Sequence, residues 1–92
     1  MKFEWDGRKA AANLKKHGVT FDEAAEVFYD PDVVEDYDPA HSDAEDRFFV
    51  LGSSGQRLLY VVYAQRPGDV IRIISARPPT PAERRAYEEA RA

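Results

Sequence analysis

The chain has 92 residues, two histidines and no cysteine, and its formal net charge at pH 7 is −4. This length suits a single domain, so we expect one folded unit over residues 1–92. The lack of cysteine excludes disulfides and thiolate zinc sites, and two histidines are too few for a histidine-rich metal site. We therefore expect no metal and no other cofactor.

The charge is divided unevenly along the chain. Residues 1–20 hold five basic and two acidic side chains. Residues 21–46 hold eleven acidic side chains and no basic one, and residues 47–92 hold eight basic and four acidic side chains. An acidic block between two basic blocks indicates one surface that attracts a polyanion and another that suits a basic partner. Solvated faces with no binding role are the alternative interpretation.

No segment of the sequence has the pattern of a membrane anchor or a signal peptide. The longest apolar run, 58–64, is far shorter than the roughly 20 residues of a membrane-spanning helix. Residues 1–9 carry charges where a signal peptide needs an apolar stretch. We expect a soluble, cytoplasmic protein with no membrane partner.

The first third of the chain predicts a short strand followed by two helices. Residues 3–5 form the strand, and Asp6 caps a helix from Gly7 to about His17 whose inner face holds Ala10, Ala11 and Leu14. Gly18 suits the left-handed position that follows a helix. The second helix starts with a capping box of Thr20 and Glu23, continues to about Tyr29 on a stripe of Phe21, Ala24, Ala25 and Phe28, and ends at Asp30 and Pro31.

The middle of the chain predicts three strands and an acidic loop. Residues 33–37 suit an edge strand, 38–46 form the loop, 47–51 form the next strand, GSSG at 52–55 makes a hairpin turn, and 58–64 suits the sheet centre. In the strand at 47–51, Arg47, Phe49 and Leu51 share one face, and Phe48 and Val50 the other. The sequence RPGD at 66–69 is a second tight turn.

The segment from Val70 to Ala90 contains the strongest local signal. An apolar strand reaches Arg77 and stops there, because Pro78 and Pro79 lack the N–H that pairs strands. Thr80, Pro81 and Glu83 then give a hydroxyl cap, a proline in the first turn and a capping-box carboxylate. The element order β-α-α-β-β-β-β-α predicts an α+β domain with a largely antiparallel sheet packed by helices.

Several separated motifs together resemble one family. They are FEWD at 3–6, Asn13, KHG at 16–18, TFDEA at 20–24, Arg47, RIISAR at 72–77 and ERRAY at 83–87. This combination spans nearly the whole chain and is similar to the BrnT toxins of type II toxin–antitoxin pairs, whose fold is similar to that of the RelE ribonucleases. The resemblance implies RNA cleavage, free or on the ribosome, with inhibition of translation. It also implies a BrnA-like ribbon-helix-helix antitoxin and a higher-order toxin–antitoxin complex.

Cleavage by a ribose 2′-hydroxyl needs proton-transfer groups and cations that stabilise the charged phosphate. Arg77 and Arg47 are the candidates for holding the phosphate, because a guanidinium offers a planar fork of donors. The alternatives are that Arg47 pairs with Glu45 or Asp46 and that Arg77 holds the C-terminal helix. His17 is a candidate acid or base, although a histidine in the last helical turn often has only a packing role.

Other residues are candidates for proton transfer and for contact with RNA. Tyr87 or Glu83 could serve as a second proton-transfer group, but Glu83 is explained by its capping box and the Tyr87 ring suits packing. Candidate RNA contacts are the aromatic and basic residues Trp5, Lys9, Lys16, Arg72 and Arg84, with a core role as the alternative for Trp5. His41 receives no role.

Two hypotheses of function remain open. The first is a metal-independent endoribonuclease, and the second is a non-catalytic module that binds the antitoxin and acts in transcriptional autoregulation. The acidic segment 21–46 is the expected antitoxin surface if that partner is basic. Relatives commonly carry a basic residue where Pro78 stands, so we expect weaker cleavage or a greater dependence on Arg77 and Arg84.

Overall fold

The computed structural model describes residues 1–92. Eight helices and strands follow one another in the order β-α-α-β-β-β-β-α. They are β1 (Lys2–Glu4), α1 (Gly7–His17), α2 (Phe21–Glu26), β2 (Val34–Tyr37), β3 (Phe48–Ser53), β4 (Leu58–Arg66), β5 (Val70–Arg77) and α3 (Pro81–Arg91). Short 3₁₀ turns occupy Val27–Tyr29 and Pro39–His41. The α+β class is confirmed, with five strands and three helices.

The five strands form one sheet in the order β1-β5-β4-β3-β2. All neighbours are antiparallel except β1 and β5, which are parallel. The central position of β4 and the edge position of β2 are confirmed. Between β4 and β5 the register changes from Val62 opposite Ser75 to Tyr63 opposite Ile73, which leaves Ile74 as an extra residue in a β-bulge.

The bulge changes which face of the sheet each side chain at the end of β5 occupies. Ile71 and Ile73 belong to the core, and strict alternation would turn Arg77 toward the same side. Because Ile74 is an extra residue, Ala76 enters the core instead. Arg77, the residue after Ala76, therefore points to the opposite face of the sheet.

The α1 helix has the predicted caps but buries a different residue. The Asp6 carboxylate accepts from the Arg8 and Lys9 N–H groups, and Gly18 has φ of 69°. Leu14, expected on the inner face, is 48% exposed, whereas Asn13 is 7% exposed. The prediction for Leu14 was wrong because α1 is fixed to the sheet through hydrogen bonds of Asn13 rather than through an apolar stripe.

The capping box predicted for α2 is only half formed. The Thr20 hydroxyl accepts from the Glu23 N–H at 3.1 Å. The Glu23 carboxylate binds Arg57 at 2.7 and 3.0 Å and the Ser54 hydroxyl at 2.9 Å instead of the Thr20 N–H. A guanidinium from the β3–β4 hairpin thus offers this carboxylate a stronger, charge-assisted contact than a main-chain N–H.

Two predicted boundaries around β3 also need correction. Arg47 lies just before the strand, and Gly52 lies inside it rather than in the turn. A Cβ at Gly52 would come 2.9 Å from the Val33 side chain and 3.0 Å from that of Val27, so glycine is required by close packing. The turn is formed one step later, where the Ser54 N–H donates to the Arg57 carbonyl at 3.0 Å.

The main core lies between α1, α2 and one sheet face, which we call the helix face. Its eleven buried residues are Val19, Phe21, Ala24, Val27, Val50, Leu59, Val61, Tyr63, Ile71, Ile73 and Ala76. On the opposite side, which we call the second face, Leu51 and Val62 are buried and α3 contacts β3. None of the helices has the length and apolar character needed to cross a bilayer.

Candidate functional site

Five side chains on and beside the second face form a connected group. We call Asp38, His41, Phe49, Tyr60 and Arg77 the arginine–tyrosine cluster. Phe49 and Tyr60 alternate with the core residues Val50, Leu59 and Val61, so they project from the second face. Tyr60 and Arg77 lie opposite each other on β4 and β5. Asp38 and His41 come from the loop that follows β2.

The Tyr60 ring lies at the centre of the cluster. Phe49 stacks on it with ring centres 4.9 Å apart and an interplanar angle of 14°. The Arg77 guanidinium lies 4.2 Å from the same ring centre, so it must occupy the other side of the ring. Burial and the nearby Asp38 carboxylate raise the pKa of Tyr60 to about 12. Tyr60 therefore stays protonated at neutral pH and donates its hydroxyl hydrogen to Asp38 at 3.1 Å.

Arg77 is held by Glu83 and still has free donors. Its Nη1 and Nη2 donate to the two Glu83 oxygens at 2.8 and 2.9 Å, and Nη1 also donates to the Pro78 carbonyl at 3.1 Å. The Arg77 hydrogen bonds hold the pKa of Glu83 below its usual value. A guanidinium has five N–H groups, so two remain, on Nε and Nη2, along one edge of the fork. This edge has the geometry that grips a phosphate with two parallel hydrogen bonds.

The Asp38 carboxylate connects Tyr60 to His41. Asp38 is 5% exposed, and its Oδ2 lies 3.0 Å from His41 Nδ1. Because an ionised carboxylate only accepts hydrogen bonds, His41 Nδ1 carries a proton and Nε2 is left free. The imidazole is 48% exposed, so Nε2 can reach a ligand. A carboxylate-oriented histidine of this kind has the geometry of a general acid or base.

The loop that carries His41 is held by Ser42 and Arg47. The Ser42 hydroxyl donates to the Asp38 carbonyl at 2.7 Å and accepts from the Arg47 N–H at 2.9 Å. The acidic loop predicted from the sequence is therefore an ordered turn. Sequence reasoning missed His41, and its one local signal was the spacing of three residues from Asp38, with Pro39 starting the turn between them.

Arg47 lies on the same face as Arg77. The Asp38 N–H donates to the Arg47 carbonyl at 2.8 Å, which continues the pairing of β2 with β3 and places Arg47 two residues before Phe49. Its Nη2 is 3.8 Å from Glu45, a long contact, and its Nε is buried without an acceptor. Arg47 thus has the Glu45 neighbour that the sequence suggested as an alternative, yet this pairing leaves donors unused.

The basic residues of α1 lie at a separate position. Lys9, Lys16 and His17 line a shallow cavity of 220 Å³ together with Ser75 of β5. This cavity adjoins the strand that ends at Arg77, but the structure does not bring His17 into contact with the arginine–tyrosine cluster.

Three other predicted site residues lie outside the cluster: Trp5 packs in the protein, Arg72 forms an ion pair, and Arg84 is exposed. The Trp5 ring packs edge-on against Phe21 at 5.9 Å. Arg72 pairs with Glu4 at 2.8 Å. Arg84 is exposed on the first turn of α3.

Tyr87 has a contact that explains its burial. Its hydroxyl donates to Asp30 at 2.6 Å, and burial together with Asp30 raises its pKa to about 12. The Asp30 carboxylate also accepts from the Ser53 N–H at 2.7 Å. The hydroxyl of Tyr87 thus ties α3 to the end of β3 rather than facing Arg77.

No three His, Asp or Glu side chains converge in a way that would hold a metal ion. The arrangement on the second face instead offers a guanidinium edge, an oriented imidazole and a stacked aromatic pair. These groups can hold a phosphate, move a proton and support a base or sugar ring.

Comparisons with known proteins identify the family. Residues 5–83 match the family model for the ribonuclease toxin BrnT of type II toxin–antitoxin systems. The fold is similar to the crystal structure of the Brucella abortus ribonuclease toxin BrnT, with a TM-score of 0.64 and 24% identity over 87% of this chain and 97% of that chain. No curated protein is similar to the chain at a significant level. Because the family model covers most of its length, the chain belongs to the BrnT family of ribonuclease toxins of type II toxin–antitoxin systems.

Proposed function

We propose that this toxin is a metal-independent endoribonuclease whose reaction is carried out by the arginine–tyrosine cluster. The observation that carries the proposal is that the Tyr60 ring carries the Arg77 guanidinium, while the Tyr60 hydroxyl donates to Asp38, the carboxylate that orients His41. Together His41 and Arg77 supply what cleavage by a neighbouring hydroxyl requires, namely a proton acceptor and a fixed cation for the charge that develops on phosphate.

In the proposed reaction, the ribose 2′-oxygen attacks the adjacent phosphorus while His41 Nε2 takes its proton. The bond from phosphorus to the 5′-oxygen breaks, and solvent at this exposed site protonates the leaving oxygen. The Nε and Nη2 hydrogens of Arg77 stabilise the phosphoryl oxygens. Asp38 stabilises the charged imidazole, and Tyr60 holds Asp38 in place. The products are a 2′,3′-cyclic phosphate and a 5′-hydroxyl.

Residues outside the cluster guide the RNA in this proposal. Arg47 is a second phosphate contact on the same face, because its long 3.8 Å contact with Glu45 leaves Nη donors of the partly exposed guanidinium unused. Lys9 and Lys16 extend the basic path along the α1 cavity, and Arg84 extends it along α3. His17 is the alternative proton-transfer group. Trp5, Arg72 and Tyr87 would need to exchange the contacts described above to reach RNA.

The wider biological role follows the family. We propose that cleavage inhibits translation in the cytoplasm, that the chain acts as one domain with a RelE-like fold, and that a BrnA-like ribbon-helix-helix antitoxin neutralises it in a higher-order complex. The family implies a protein antitoxin. The acidic segment 21–46 supports a basic surface on that partner, and it also supports the second candidate function, a non-catalytic antitoxin-binding module.

The test is cleavage of a defined RNA by the purified chain in EDTA, with and without ribosomes, followed by identification of the product ends. Cyclic phosphate ends in EDTA support the proposal. Cleavage that disappears in EDTA, or that leaves 5′-phosphates, would contradict the mechanism. If the folded chain does not cleave under either condition, the second candidate function is favoured.

A further inference from the structure

A second recess lies on the helix face of the sheet, away from the arginine–tyrosine cluster. It is 390 Å³ in volume, and we call it the edge groove. The residues that line it come from β2, β3 and β4, and they are Glu35, Asp36, Tyr37, Phe48, Tyr63 and Gln65. None of the three helices contributes to this lining.

The floor of the edge groove is aromatic. The Phe48 and Tyr63 rings lie 5.9 Å apart, and Tyr37 contacts Phe48 edge-on at 5.9 Å. Phe28 supports Tyr63 from the core side at 5.1 Å. Tyr37 is 43% exposed, so an apolar ring surface at the mouth of the groove faces solvent.

The rim of the edge groove is acidic. Glu35 and Asp36 border it, and Asp46 lies 3.4 Å from the Tyr37 hydroxyl. The Glu35 carboxylate accepts from the Tyr63 hydroxyl at 3.2 Å, which holds it over the aromatic floor. No lysine or arginine lines the groove. A polyanion such as RNA is repelled from this position, whereas arginine and lysine side chains are attracted and can also lie on the rings.

The main chain beside the groove is unpaired. β2 is the edge strand and pairs only with β3. The Asp38 N–H donates to the Arg47 carbonyl, so Asp38 turns its main-chain groups toward β3. In an antiparallel pair every second residue does so, and Glu35 and Tyr37 therefore turn their main-chain N–H and C=O groups away from β3. The Tyr37 N–H is already bound to the Asp36 carboxylate at 2.7 Å. The N–H and C=O of Glu35 and the C=O of Tyr37 are therefore available to an added strand.

We propose that the edge groove is a docking site for an extended, basic segment of a protein partner. The segment adds to β2 as a sixth strand and places one arginine or lysine between Glu35 and the rings of Tyr37 and Phe48. The family's antitoxin is the expected source of this segment, and that identification rests on the proposed function. The binding chemistry itself depends only on the charge, the rings and the free strand edge.

The probe is an acetylated and amidated peptide of about six residues with alternating arginine and valine, long enough to cover the edge strand. Its titration into the isotope-labelled full chain should shift the amide signals of residues 34–37, 48 and 63, and should slow hydrogen exchange of the Glu35 amide. A peptide with glutamate in place of arginine should cause no such shifts. Shifts spread over the acidic surface, without protection of Glu35, would overturn the proposal in favour of non-specific attraction.

Variants separate the charge from the fold. Glu35→Lys should weaken peptide binding by roughly fivefold or more, and Glu35→Gln by less, since a single exposed charge contributes modestly. Glutamine still accepts from the Tyr63 hydroxyl, so Glu35→Gln tests the charge without leaving that hydroxyl unpaired. Tyr37→Ala should also weaken binding. Glu88→Lys, which makes the same charge change on the exposed face of α3, is the matched control and should bind as wild type. Equal binding by Glu35→Lys and Glu88→Lys would refute the site.

The same variants distinguish this proposal from the proposed function. Tyr37→Ala and Glu35→Gln should cleave RNA at the wild-type rate, because the groove and the arginine–tyrosine cluster lie on opposite faces. If the wild-type chain binds the peptide in the groove but cleaves no RNA, the docking site stands and the ribonuclease mechanism falls. If it cleaves RNA but the peptide leaves the groove signals unchanged, the reverse holds.

Discussion

The two faces of the β2–β4 sheet carry closely related groups with different consequences. On the second face, the Tyr60 hydroxyl donates to Asp38 at 3.1 Å, and on the helix face, the Tyr63 hydroxyl donates to Glu35 at 3.2 Å. Each tyrosine contacts a phenylalanine of β3, and each has a pKa raised to about 12 by burial and by its carboxylate partner. Strand alternation has thus produced two similar tyrosine–carboxylate pairs on opposite faces.

The cation is what separates the two faces. Arg77 lies on Tyr60, and His41 shares the Asp38 carboxylate, whereas no basic residue lines the edge groove beside Tyr63. The same ring-and-carboxylate arrangement is suited to a phosphate in one case and to a basic chain in the other. Aromatic character therefore does not identify the partner, and the sign of the neighbouring charge does.

Among the changes that test the difference between the two faces, removal of Arg77 should have the largest effect, on the rate of RNA cleavage. Arg77→Ala is expected to reduce RNA cleavage by about 100-fold to 1,000-fold, because a fixed donor to the developing charge is lost. Single-turnover cleavage of a defined RNA measures this loss. Arg77→Lys keeps the charge but not the paired donors, so it should recover only part of the rate. A well-folded Arg77→Ala protein that cleaves at the wild-type rate would exclude the arginine–tyrosine cluster as the site.

Replacement of His41 should have the next largest effect. His41→Gln is expected to slow cleavage by roughly 100-fold, since it removes the proton acceptor that Asp38 orients. Single-turnover cleavage of the same defined RNA by wild type and variant provides the measurement.

His17 provides the comparison variant for this experiment. Both histidines receive the same change, but only His41 contacts a carboxylate of the cluster. A smaller loss in His17→Gln than in His41→Gln supports the assignment. If the ranking is reversed, proton transfer occurs at the α1 cavity and the role of His41 is structural.

The residues whose predictions failed show which information the sequence lacks. Local signals gave the helix caps, the edge and central strands and the position of Arg77 at a strand end. They did not give the bulge at Ile74, which decides the face that Arg77 occupies, because a bulge depends on pairing between separated strands. His41 was missed for a similar reason, since it joins Tyr60 and Arg77 only through Asp38, and those two residues come from β4 and β5.

The prediction of the buried face of α1 was wrong because helical periodicity favours an apolar residue over an amide at a buried position. Asn13 donates to the Val19 and Ala76 carbonyls at 3.0 and 2.8 Å and accepts from the Ala76 N–H at 3.0 Å. These bonds fix the residue that directly precedes Arg77. They are visible only when α1 and β5 are brought together.

Asn13→Ala should therefore destabilise the fold by about 3 kcal/mol, because it leaves buried main-chain groups of Ala76 and Val19 without partners. Leu14→Ala, the neighbouring change at the exposed position, should cost less than about 0.5 kcal/mol. Urea unfolding at neutral pH measures both values. Equal losses would mean that α1 is held by apolar contact, as the periodicity predicted. The edge groove, far from this contact, should retain its peptide binding in folded Asn13→Ala.

The smallest expected effect concerns the ion pair that holds Arg77. The pKa of Glu83 is lowered by its Arg77 hydrogen bonds and that of Glu23 by its Arg57 hydrogen bond, so each carboxylate stabilises the fold at pH values above its ordinary, unfolded pKa of about 4.5. Because the unfolded state binds more protons, stability falls as the pH drops through the folded pKa values. In Glu83→Gln, the free energy of unfolding should fall by about 1 kcal/mol less than in wild type as the pH drops below 4.5. The difference is small because solvent screens the partly exposed pair. Urea unfolding of wild type, Glu83→Gln and the exposed control Glu88→Gln across this range gives the comparison. Curves for Glu83→Gln and Glu88→Gln that fall in parallel toward acid would mean that the Arg77 pair adds nothing to folding and serves only to orient the guanidinium.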